Sequence, residues 1–266
     1  MRHRPPPLSM ASGITPEASP QQLVLCAAEA GYDYGGMWIE ADQWNNQTTR
    51  EVRTLLKETG LPLLDVEVVW IKPGPPDPDH ERIIDIGSEL GARNVLVVSS
   101  DPDRSGTLDK LGRLMEQGEK NGIRINLEFG LFTEVKTIHE AASLLNELNS
   151  PAAGLLIDSL HWHRSGGTLT DIDALPRDWL GYVQLCDAPV PGANPEDPDA
   201  ILEEAIDGRL QMGEGNLQLA EILGVLPDGL PVAVELRSKV LREEYPDLLT
   251  RAKSVLEKSR AFLQSL

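Results

Sequence analysis

Four apolar segments of this 266-residue chain each carry one oxygen-bearing polar side chain at or near the C-terminal end. These side chains are Glu128, Asp158, Gln184 and Glu235. Three carboxylates and an amide brought together would be costly to bury unless a positive charge compensates them. An oxygen-rich set of this kind suits Mg²⁺ or Mn²⁺, with Co²⁺ also compatible, whereas structural zinc sites more often contain thiolates and imidazoles. The residue types therefore indicate a divalent-cation site.

The same carboxylates have a second interpretation, a salt-bridge network in the protein interior. Arg124, Arg209 and Arg237 are available as partners, because each shares or adjoins the segments that carry the carboxylates. One buried carboxylate alone would favour such pairing, since buried charges are usually paired. Four oxygen ligands on consecutive segments favour the cation, and both interpretations stay open.

A histidine three residues after Asp158 adds a second kind of chemistry. His161 and His163 follow the carboxylate in what the pattern predicts to be a loop. An imidazole at that place can donate to an oxygen held at the site or relay a proton near neutral pH. We expect His161 to act in catalysis and to contact substrate, and His163 is a second candidate contact.

Arg209 precedes a glycine-rich stretch that contains Gly213 and Gly215. Glycines permit close backbone approach, and a guanidinium can clamp a substrate oxygen or carboxylate. Glu67 and Arg237 have the residue parity of the inward-facing positions on their predicted strands. The predicted substrate-binding set is therefore His161, His163, Arg209, Arg237 and Glu67.

These candidates need a scaffold that gathers the ends of several strands. Short β-rich runs alternate with longer amphipathic segments along the whole chain, which is typical of repeated βα units. Because no change in composition divides the chain, we predict a single (β/α)8 barrel. Strands are predicted at 8–11, 34–39, 63–71, 94–99, 123–129, 154–158, 182–186 and 232–236. Helices are predicted at 19–30, 48–59, 79–90, 107–121, 133–148 and 247–266, with short ones near 169–175 and 217–226.

Two segments depart from the repeat. Residues 1–7 are rich in proline and arginine and are predicted to form a flexible N-terminal tail before the barrel domain, residues 8–266. Residues 188–207 are rich in proline and longer than a usual loop between a strand and a helix. We predict a structureless loop over the C-terminal face, which is either a lid or specificity loop or an inert excursion.

The overall composition excludes several classes of protein. The chain has 42 acidic against 24 basic residues and a net charge of −18, which disfavours a protein that coats nucleic acid. No apolar run reaches the length of a membrane span, and the first residues lack the apolar core of a secretory signal, so we expect a cytoplasmic location. Cys26 and Cys186 lie far apart and are expected to be reduced. Motifs of serine hydrolases, P-loop NTPases and dinucleotide-binding enzymes are absent from the sequence.

Five motifs together resemble the xylose isomerase-like TIM-barrel superfamily. They are Asn-Leu-Glu-Phe at 126–129, Asp-Ser-Leu-His at 158–161, Gln-Leu-Cys-Asp-Ala at 184–188, Arg209 with Gly-Glu-Gly at 213–215, and Glu-Leu-Arg-Ser at 235–238. That superfamily includes sugar phosphate isomerases and epimerases, ketose 3-epimerases, inosose and 3-dehydroshikimate dehydratases, and endonuclease IV. The last is disfavoured here, since it uses more histidine ligands and basic loops that face DNA.

The resemblance implies roles for individual residues. Glu128, Asp158 and Glu235 would bind a divalent metal, and the two glutamates would face opposite sides of the substrate as acid and base. His161 would bind a substrate oxygen, and Arg209 would stabilise developing negative charge. The family has a histidine where this chain has Gln184. An amide oxygen can still coordinate, although it binds more weakly than an imidazole and favours harder ions.

Such a site would stabilise the enediolate that forms when a carboxylate removes the proton next to a carbonyl group. Our leading prediction is a divalent-metal-dependent isomerase or epimerase of a small polyhydroxylated carbonyl compound. The alternative is a lyase that dehydrates a cyclic keto-polyol or keto acid, such as inosose or 3-dehydroshikimate, or eliminates from a 3-keto-glycoside. A third possibility is a non-catalytic sugar-binding barrel. We expect a small-molecule partner, no nucleic acid and no membrane, and the fold is compatible with a homodimer.

Overall fold

Eight parallel strands form the centre of the molecule in a computed structural model, which describes residues 5–266. The strands pair in sequence order and β1 also pairs with β8, so the sheet closes on itself. This confirms the predicted single (β/α)8 barrel. The strands are β1 (Leu8–Met10), β2 (Tyr34–Trp38), β3 (Leu63–Ile71), β4 (Asn94–Ser99), β5 (Arg124–Glu128), β6 (Ala153–Asp158), β7 (Val183–Leu185) and β8 (Val232–Val234).

Eleven helices surround the barrel or lie on its faces within the described part of the chain. They are α1 (Pro20–Ala30), α2 (Asn46–Thr59), α3 (Pro78–Glu89), α4 (Arg104–Asn121), α5 (Ile138–Leu148), α6 (Ser159–Arg164), α7 (Leu169–Asp173), α8 (Pro198–Asp207), α9 (Leu219–Val225), α10 (Lys239–Glu244) and α11 (Leu248–Ser265). No helix within residues 5–266 combines the length and the apolar character that crossing a bilayer requires.

The boundaries of α1 follow directly from the sequence. The Ser19 side chain accepts a hydrogen bond from the Gln22 backbone, and the Gln22 side chain accepts one from the Ser19 backbone in return. Pro20 occupies the first helical position, where a missing N–H costs nothing. The helix ends at Gly31, whose φ of 93° lies in the left-handed region that glycine adopts readily.

The predicted helix at 133–148 is wrong over its first turn. Residues 133–137 are irregular, and the Thr133 hydroxyl donates to the carbonyls of Gly130 and Val135. Helix α5 starts only at Ile138, after a reciprocal capping pair between Thr137 and Glu140. This segment contacts the C-terminal end of β4, where backbone N–H groups of 134 and 135 donate to the Ser99 carbonyl.

The prediction of a structureless segment at 188–207 is also wrong in its second half. Helix α8 occupies Pro198–Asp207. The Asp197 side chain caps this helix by accepting hydrogen bonds from the backbone of residues 199 and 200. The segment therefore has a regular element of its own close to the barrel mouth.

The predicted N-terminal tail, residues 1–7, lies partly beyond the described residues. Residues 1–4 are outside the described part of the chain. The Pro7 carbonyl accepts a hydrogen bond of 3.0 Å from the Val232 backbone, so the end of this segment already contacts the barrel.

The barrel has two apolar layers, one between strands and helices and a smaller one inside the barrel. The inner layer contains Leu156 on β6, Tyr182 just before β7 and Ala233 on β8, all fully buried. Side chains alternate along a strand, so residues two positions further on face the same interior space. Asp158, Gln184 and Glu235 are those residues. The inner layer therefore forms an apolar floor beneath the predicted polar site.

Candidate active site

Three ligand-bearing side chains meet at the C-terminal ends of β5 and β6. One oxygen each from Glu128 and Asp158 and one ring nitrogen of His161 lie within 4.8 Å of one another. All three residues are buried, with at most 5% of their surface exposed. Glu128 ends β5, Asp158 ends β6, and His161 lies in the first turn of α6. The predicted meeting of Glu128, Asp158 and His161 is thus present in the structure.

Hydrogen bonds hold Asp158 in its ionised form. Its Oδ1 accepts from the backbone N–H of Leu160 at 2.8 Å and of His161 at 3.1 Å, so it also caps helix α6. Its Oδ2 accepts from Arg209 Nη1 at 2.6 Å. Burial opposes the charge, but the Arg209 guanidinium and the other donors together outweigh burial and lower the pKa of Asp158.

Arg209 is buried and contacts several parts of the site. Its Nε donates to the Ala205 carbonyl at 2.8 Å, and its Nη2 lies 3.1 Å from His161 Nε2. Its Nη1 also lies 3.2 Å from the Cys186 sulfur. The alternative salt-bridge network is therefore present at two positions, between Arg209 and Asp158 at 2.6 Å and, at the longer distance of 3.7 Å, between Arg237 and Glu235. Arg124 takes no part in it, because its guanidinium donates to the Asp178 carbonyl at the opposite end of β5.

His161 is a neutral imidazole with a fixed orientation. Arg209 can only donate, so His161 Nε2 must accept, and we assign the ring proton to Nδ1 on that ground. Burial lowers the pKa of His161 to about 4, and the neighbouring Asp158 only partly counteracts this effect. The ring packs against Phe132 with centroids 4.6 Å apart, and Phe132 packs edge-on against Trp70.

Glu128 forms no salt bridge among the described residues, and the Arg209 charge only partly offsets its burial. Burial raises its pKa well above the usual value, and the nearby Asp158 carboxylate raises it further. A bound cation would supply the missing positive charge and keep Glu128 ionised.

Glu235 stands apart from the group of three. It follows β8, and its Oε1 faces Gly13, where the Cβ atom of any larger residue would come within 2.7 Å of it. Its Oε2 is buried and has no hydrogen-bond partner, and Oε1 lies 3.7 Å from Arg237 Nε. Burial raises its pKa to about 7, with Glu67 as the next contribution. In this arrangement the four predicted metal ligands do not form one compact cluster.

The remaining predicted residues occupy different surroundings. Gln184 pairs in register with Asp158 on β6, and its Nε2 is buried without a partner. Glu67 is buried and accepts a hydrogen bond from the Ser12 hydroxyl. His163 is half-buried, with Nδ1 3.0 Å from Arg164 Nη1, and it is absent from the group formed by Glu128, Asp158 and His161.

Sequence reasoning missed several residues of this interior. Both carboxylate oxygens of Asp65 are buried without partners, and burial together with Glu67 raises its pKa well above the usual value. The Tyr182 hydroxyl is likewise buried and unpartnered. Both have the inward parity of Glu67 and Gln184 on their strands, but no sequence signal indicates that they lack partners. Phe132 was missed because it lies in the loop between β5 and the predicted helix, where parity gives no guidance.

These side chains fit a divalent cation. Glu128 is a buried carboxylate that forms no salt bridge among the described residues, and Glu235 Oε2 is a buried carboxylate oxygen without a hydrogen-bond partner. Buried polar atoms in native proteins nearly always have partners, so these two carboxylates favour a bound cation. Carboxylate oxygens and an amide oxygen suit Mn²⁺ or Mg²⁺, whereas His161 has no ring nitrogen free for a metal, because Nε2 accepts from Arg209 and Nδ1 carries the proton.

A family model described as xylose isomerase-like TIM barrel matches residues 25–265. The chain belongs to the xylose isomerase-like TIM-barrel family. The match includes every strand from β2 to β8 and all of the candidate site residues. The resemblance that the five sequence motifs indicated is therefore confirmed.

Two curated relatives of this family member carry the same name, 3-dehydroshikimate dehydratase. The one from Pseudomonas putida is 30% identical over 165 residues, which are 59% of this chain and 25% of the relative. The one from Pseudomonas aeruginosa is 29% identical over 272 residues, which are 92% of this chain and 41% of the relative. The chain thus spans less than half the length of either relative.

Solved structures of the xylose isomerase-like fold are similar over nearly the whole chain. A structure of the IolI protein with a bound zinc atom has a TM-score of 0.81 and 18% identity, covering 97% of this chain and 98% of its own. A D-allulose 3-epimerase from Methylomonas sp. has a TM-score of 0.68 and 18% identity, covering 98% and 100%. At these identities the similarity shows the shared fold.

Proposed function

We propose that this protein is a divalent-metal-dependent lyase that removes water from a small cyclic hydroxy ketone or keto acid of the 3-dehydroshikimate type. The observation that carries the proposal is the pair of buried carboxyl groups on β5 and just after β8, Glu128 and Glu235, at one barrel mouth. The shared name of the two curated relatives favours dehydration over the other outcomes of this chemistry. For this reason we place the lyase ahead of the isomerase or epimerase that the sequence alone favoured.

Glu235 is our candidate for the base. A carboxylate with a pKa of about 7 is ionised in part of the molecules at neutral pH and is a much stronger base than an exposed glutamate. Its unpartnered Oε2 is free to take a proton from the carbon next to a carbonyl group. The carbon–oxygen bond of the β-hydroxyl then breaks as the carbon–carbon double bond forms, and the hydroxyl group leaves as water with the proton that Glu235 accepted.

Arg209 and His161 would position the reacting groups. His161 presents a neutral imidazole with a proton on Nδ1, and it donates from that atom to a substrate oxygen. Arg209 holds both Asp158 and His161 through the contacts described above, so we assign it a positioning role. The Trp70 and Phe132 rings would cover one side of the site and exclude water.

Glu128, Asp158 and Gln184 would hold the divalent cation, with Glu235 as a further ligand. When bound, a divalent cation stabilises negative charge that develops on a substrate oxygen after proton removal. Zinc in the IolI structure supports metal binding by this fold, and Mn²⁺ and Mg²⁺ are proposed for this chain from its oxygen ligands.

An isomerase or epimerase of a small polyhydroxylated carbonyl compound is the second candidate. Carboxyl groups from two separate strand ends, Glu128 and Glu235, favour it, because one can remove a proton from one side of the substrate and the other can return it. The same proton removal begins both reactions. The two functions therefore differ only after that step, in whether the proton is returned or a hydroxyl group is lost.

The test is an assay of purified protein with Mn²⁺ on 3-dehydroshikimate, inosose and a panel of ketoses. A lyase produces ultraviolet absorbance from the new conjugated double bond, with loss of one water by mass spectrometry. Deuterium uptake from heavy water at the carbon next to the carbonyl, without loss of water, would replace the lyase with the epimerase. Absence of both from every substrate would contradict enzymatic function and favour the sugar-binding barrel.

A further inference from the structure

Arg237 has an unusual environment for a partly buried cation. Its side chain is 24% exposed, and the guanidinium lies over the Trp38 ring at 5.0 Å from the centroid. Its nearest charged partner is Glu235, at 3.7 Å, which is too long for a hydrogen bond. Within residues 5–266 the Arg237 guanidinium donates no hydrogen bond to another side chain or to the backbone.

The other buried arginines near the barrel mouth differ in this respect. Arg209 donates to Asp158 and Ala205. Arg251 donates to the Tyr245 and Ile14 carbonyls and pairs with Glu17. A guanidinium loses its hydrogen bonds to water on burial and normally replaces them with hydrogen bonds to protein groups. The donors of Arg237 are therefore available to a molecule that is not part of this chain.

Arg237 lines a cavity of about 680 Å³ between the segment after β1, the first half of α1 and the end of β2. This size lies within the usual range for small-molecule sites. Trp38 and Trp44 provide aromatic walls, and Ser12 connects the cavity to the site through its hydrogen bond to Glu67. Arg237 is the one cationic side chain among the described residues that line it, and the two acidic ones have partners, since Glu17 pairs with Arg251 and Glu40 accepts from the Trp38 indole.

The lack of a side chain at Gly13 leaves room for the Arg237 side chain. A Cβ atom at Gly13 would approach Arg237 Cγ to 2.6 Å and Nε to 3.1 Å. The carbonyl of Arg237 also accepts a hydrogen bond from the Arg209 backbone, which fixes the base of the side chain. Stacking on the Trp38 ring then orients the planar guanidinium group of Arg237 without using its N–H groups.

We propose that Arg237 binds the carboxylate of an anionic substrate in this cavity, next to Glu235, and so selects keto acids over neutral keto-polyols. A planar guanidinium offers two parallel N–H groups that match a carboxylate, which is why arginine is common at such sites. The inference names the substrate class of the proposed lyase and rests on that function for the reaction, although binding can be tested without turnover.

The test compares binding of shikimate, which has the carboxylate but no ketone, with binding of its uncharged methyl ester. Calorimetry and tryptophan fluorescence report binding by the full chain with Mn²⁺ present. Wild type should bind shikimate about 10- to 100-fold more tightly than the ester, the range expected of hydrogen bonds between charged groups. Arg237→Gln should lose most of that preference, and Arg237→Lys should keep part of it.

Arg113→Gln is the matched control, because Arg113 lies on the exposed face of α4 at 4.0 Å from Asp109, its nearest acidic partner. It removes the same charge and should keep the wild-type preference. The proposal is overturned if Arg237→Gln retains the wild-type preference, or if wild type does not distinguish the two ligands. It is also overturned if wild type binds neither ligand.

Turnover separates this inference from the proposed function. If 3-dehydroshikimate is not dehydrated but the carboxylate preference depends on Arg237, the lyase assignment fails and the anion site stands. If Arg237 served only to adjust Glu235, Arg237→Gln would lower turnover of 3-dehydroshikimate and inosose alike and leave the binding preference unchanged. That result would contradict the carboxylate site.

Discussion

At the residue scale, the chemistry depends on the contrast between Asp158 and Glu235. Asp158 has a guanidinium and two backbone N–H groups around it and stays ionised. Glu235 is also buried but has an unpartnered oxygen, and its pKa is raised to about 7. Two carboxyl groups in one site thus differ in basicity because of their surroundings, which allows different roles.

Glu235→Gln should lower kcat by about 10²- to 10⁴-fold, because the amide cannot accept the substrate proton. The variant should unfold at the same or a higher urea concentration than wild type, since it removes a buried charge that has no full partner. Glu203→Gln, on the exposed face of α8, is the control and should leave kcat unchanged. Wild-type turnover by Glu235→Gln would exclude Glu235 as the base.

Arg209→Met should destabilise the protein by about 3–5 kcal/mol, because it leaves Asp158 as a buried charge without a partner. Arg209→Lys keeps the charge but loses the fork that reaches both Asp158 and His161, and should fall between wild type and Met. Urea unfolding followed by circular dichroism measures this. Arg113→Met, at an exposed position, should cost less than about 1 kcal/mol. Equal stability of both Met variants would contradict the role of Arg209.

Strand parity was sufficient to place the candidate carboxylates inside the barrel, because alternation needs only local sequence. It could not show which oxygens would be paired. Two of the deciding contacts join residues that are far apart in the chain. Arg209 contacts Asp158, and the Glu235 side chain lies next to Gly13. Such contacts depend on the closed barrel and leave no local signal.

At the element scale, a partly buried ion pair joins helix α8 to α6. Arg164 Nε and Nη2 donate to the two carboxylate oxygens of Glu204 at 2.9 and 2.7 Å. Nη2 also donates to the Pro189 carbonyl at 2.7 Å. Because α6 begins directly after Asp158 and carries His161, this pair couples the long segment after β7 to the site.

Arg164→Gln should increase amide hydrogen exchange in residues 198–207 by about tenfold or more, because charged hydrogen bonds at a partly buried site are lost. Exchange in the barrel strands should be unchanged. Mass spectrometry of peptides after exchange measures both regions. Arg113→Gln is the control for loss of charge. Unchanged exchange in α8 would show that other contacts hold it.

The sequence contained a signal for α8 that its proline content obscured. Asp197 followed by Pro198 is a cap followed by proline at the first helical position, the same pattern that correctly predicted α1 from Ser19 and Pro20. The Thr137 and Glu140 pair was a comparable signal for α5. The alternation of strands and helices was predictable because hydrophobic period is repeated many times, whereas each boundary depends on one or two residues.

At the scale of the whole molecule, the barrel contains acidic groups that oppose folding once they ionise. Glu235 has a pKa of about 7 in the folded protein against the ordinary 4.5, so between these values the folded state holds a proton that the unfolded chain releases. The contribution of this bound proton to the free energy of unfolding is complete below pH 4.5 and is lost as the pH rises through 7. Glu128 and Asp65 shift in the same direction.

Metal-free wild type should therefore lose about 3 kcal/mol of unfolding free energy between pH 4.5 and about 8 relative to Glu235→Gln, from the shift of Glu235 alone. Urea titrations at several pH values, with a chelator present, measure the difference. Added Mn²⁺ should reverse the loss at about pH 8 and have little effect at about pH 5, where protons compete for the same oxygens. If the difference in unfolding free energy between wild type and Glu235→Gln did not change with pH, the raised pKa of a buried Glu235 would be contradicted.

Calorimetric titration of Mn²⁺ into chelator-treated protein tests the central claim most directly, because the claim is that buried carboxylates at the barrel mouth hold a divalent cation. Wild type should bind one ion per chain in the micromolar range with release of protons, and Glu128→Gln should bind much more weakly. Absence of binding below the millimolar range in wild type would contradict the claim.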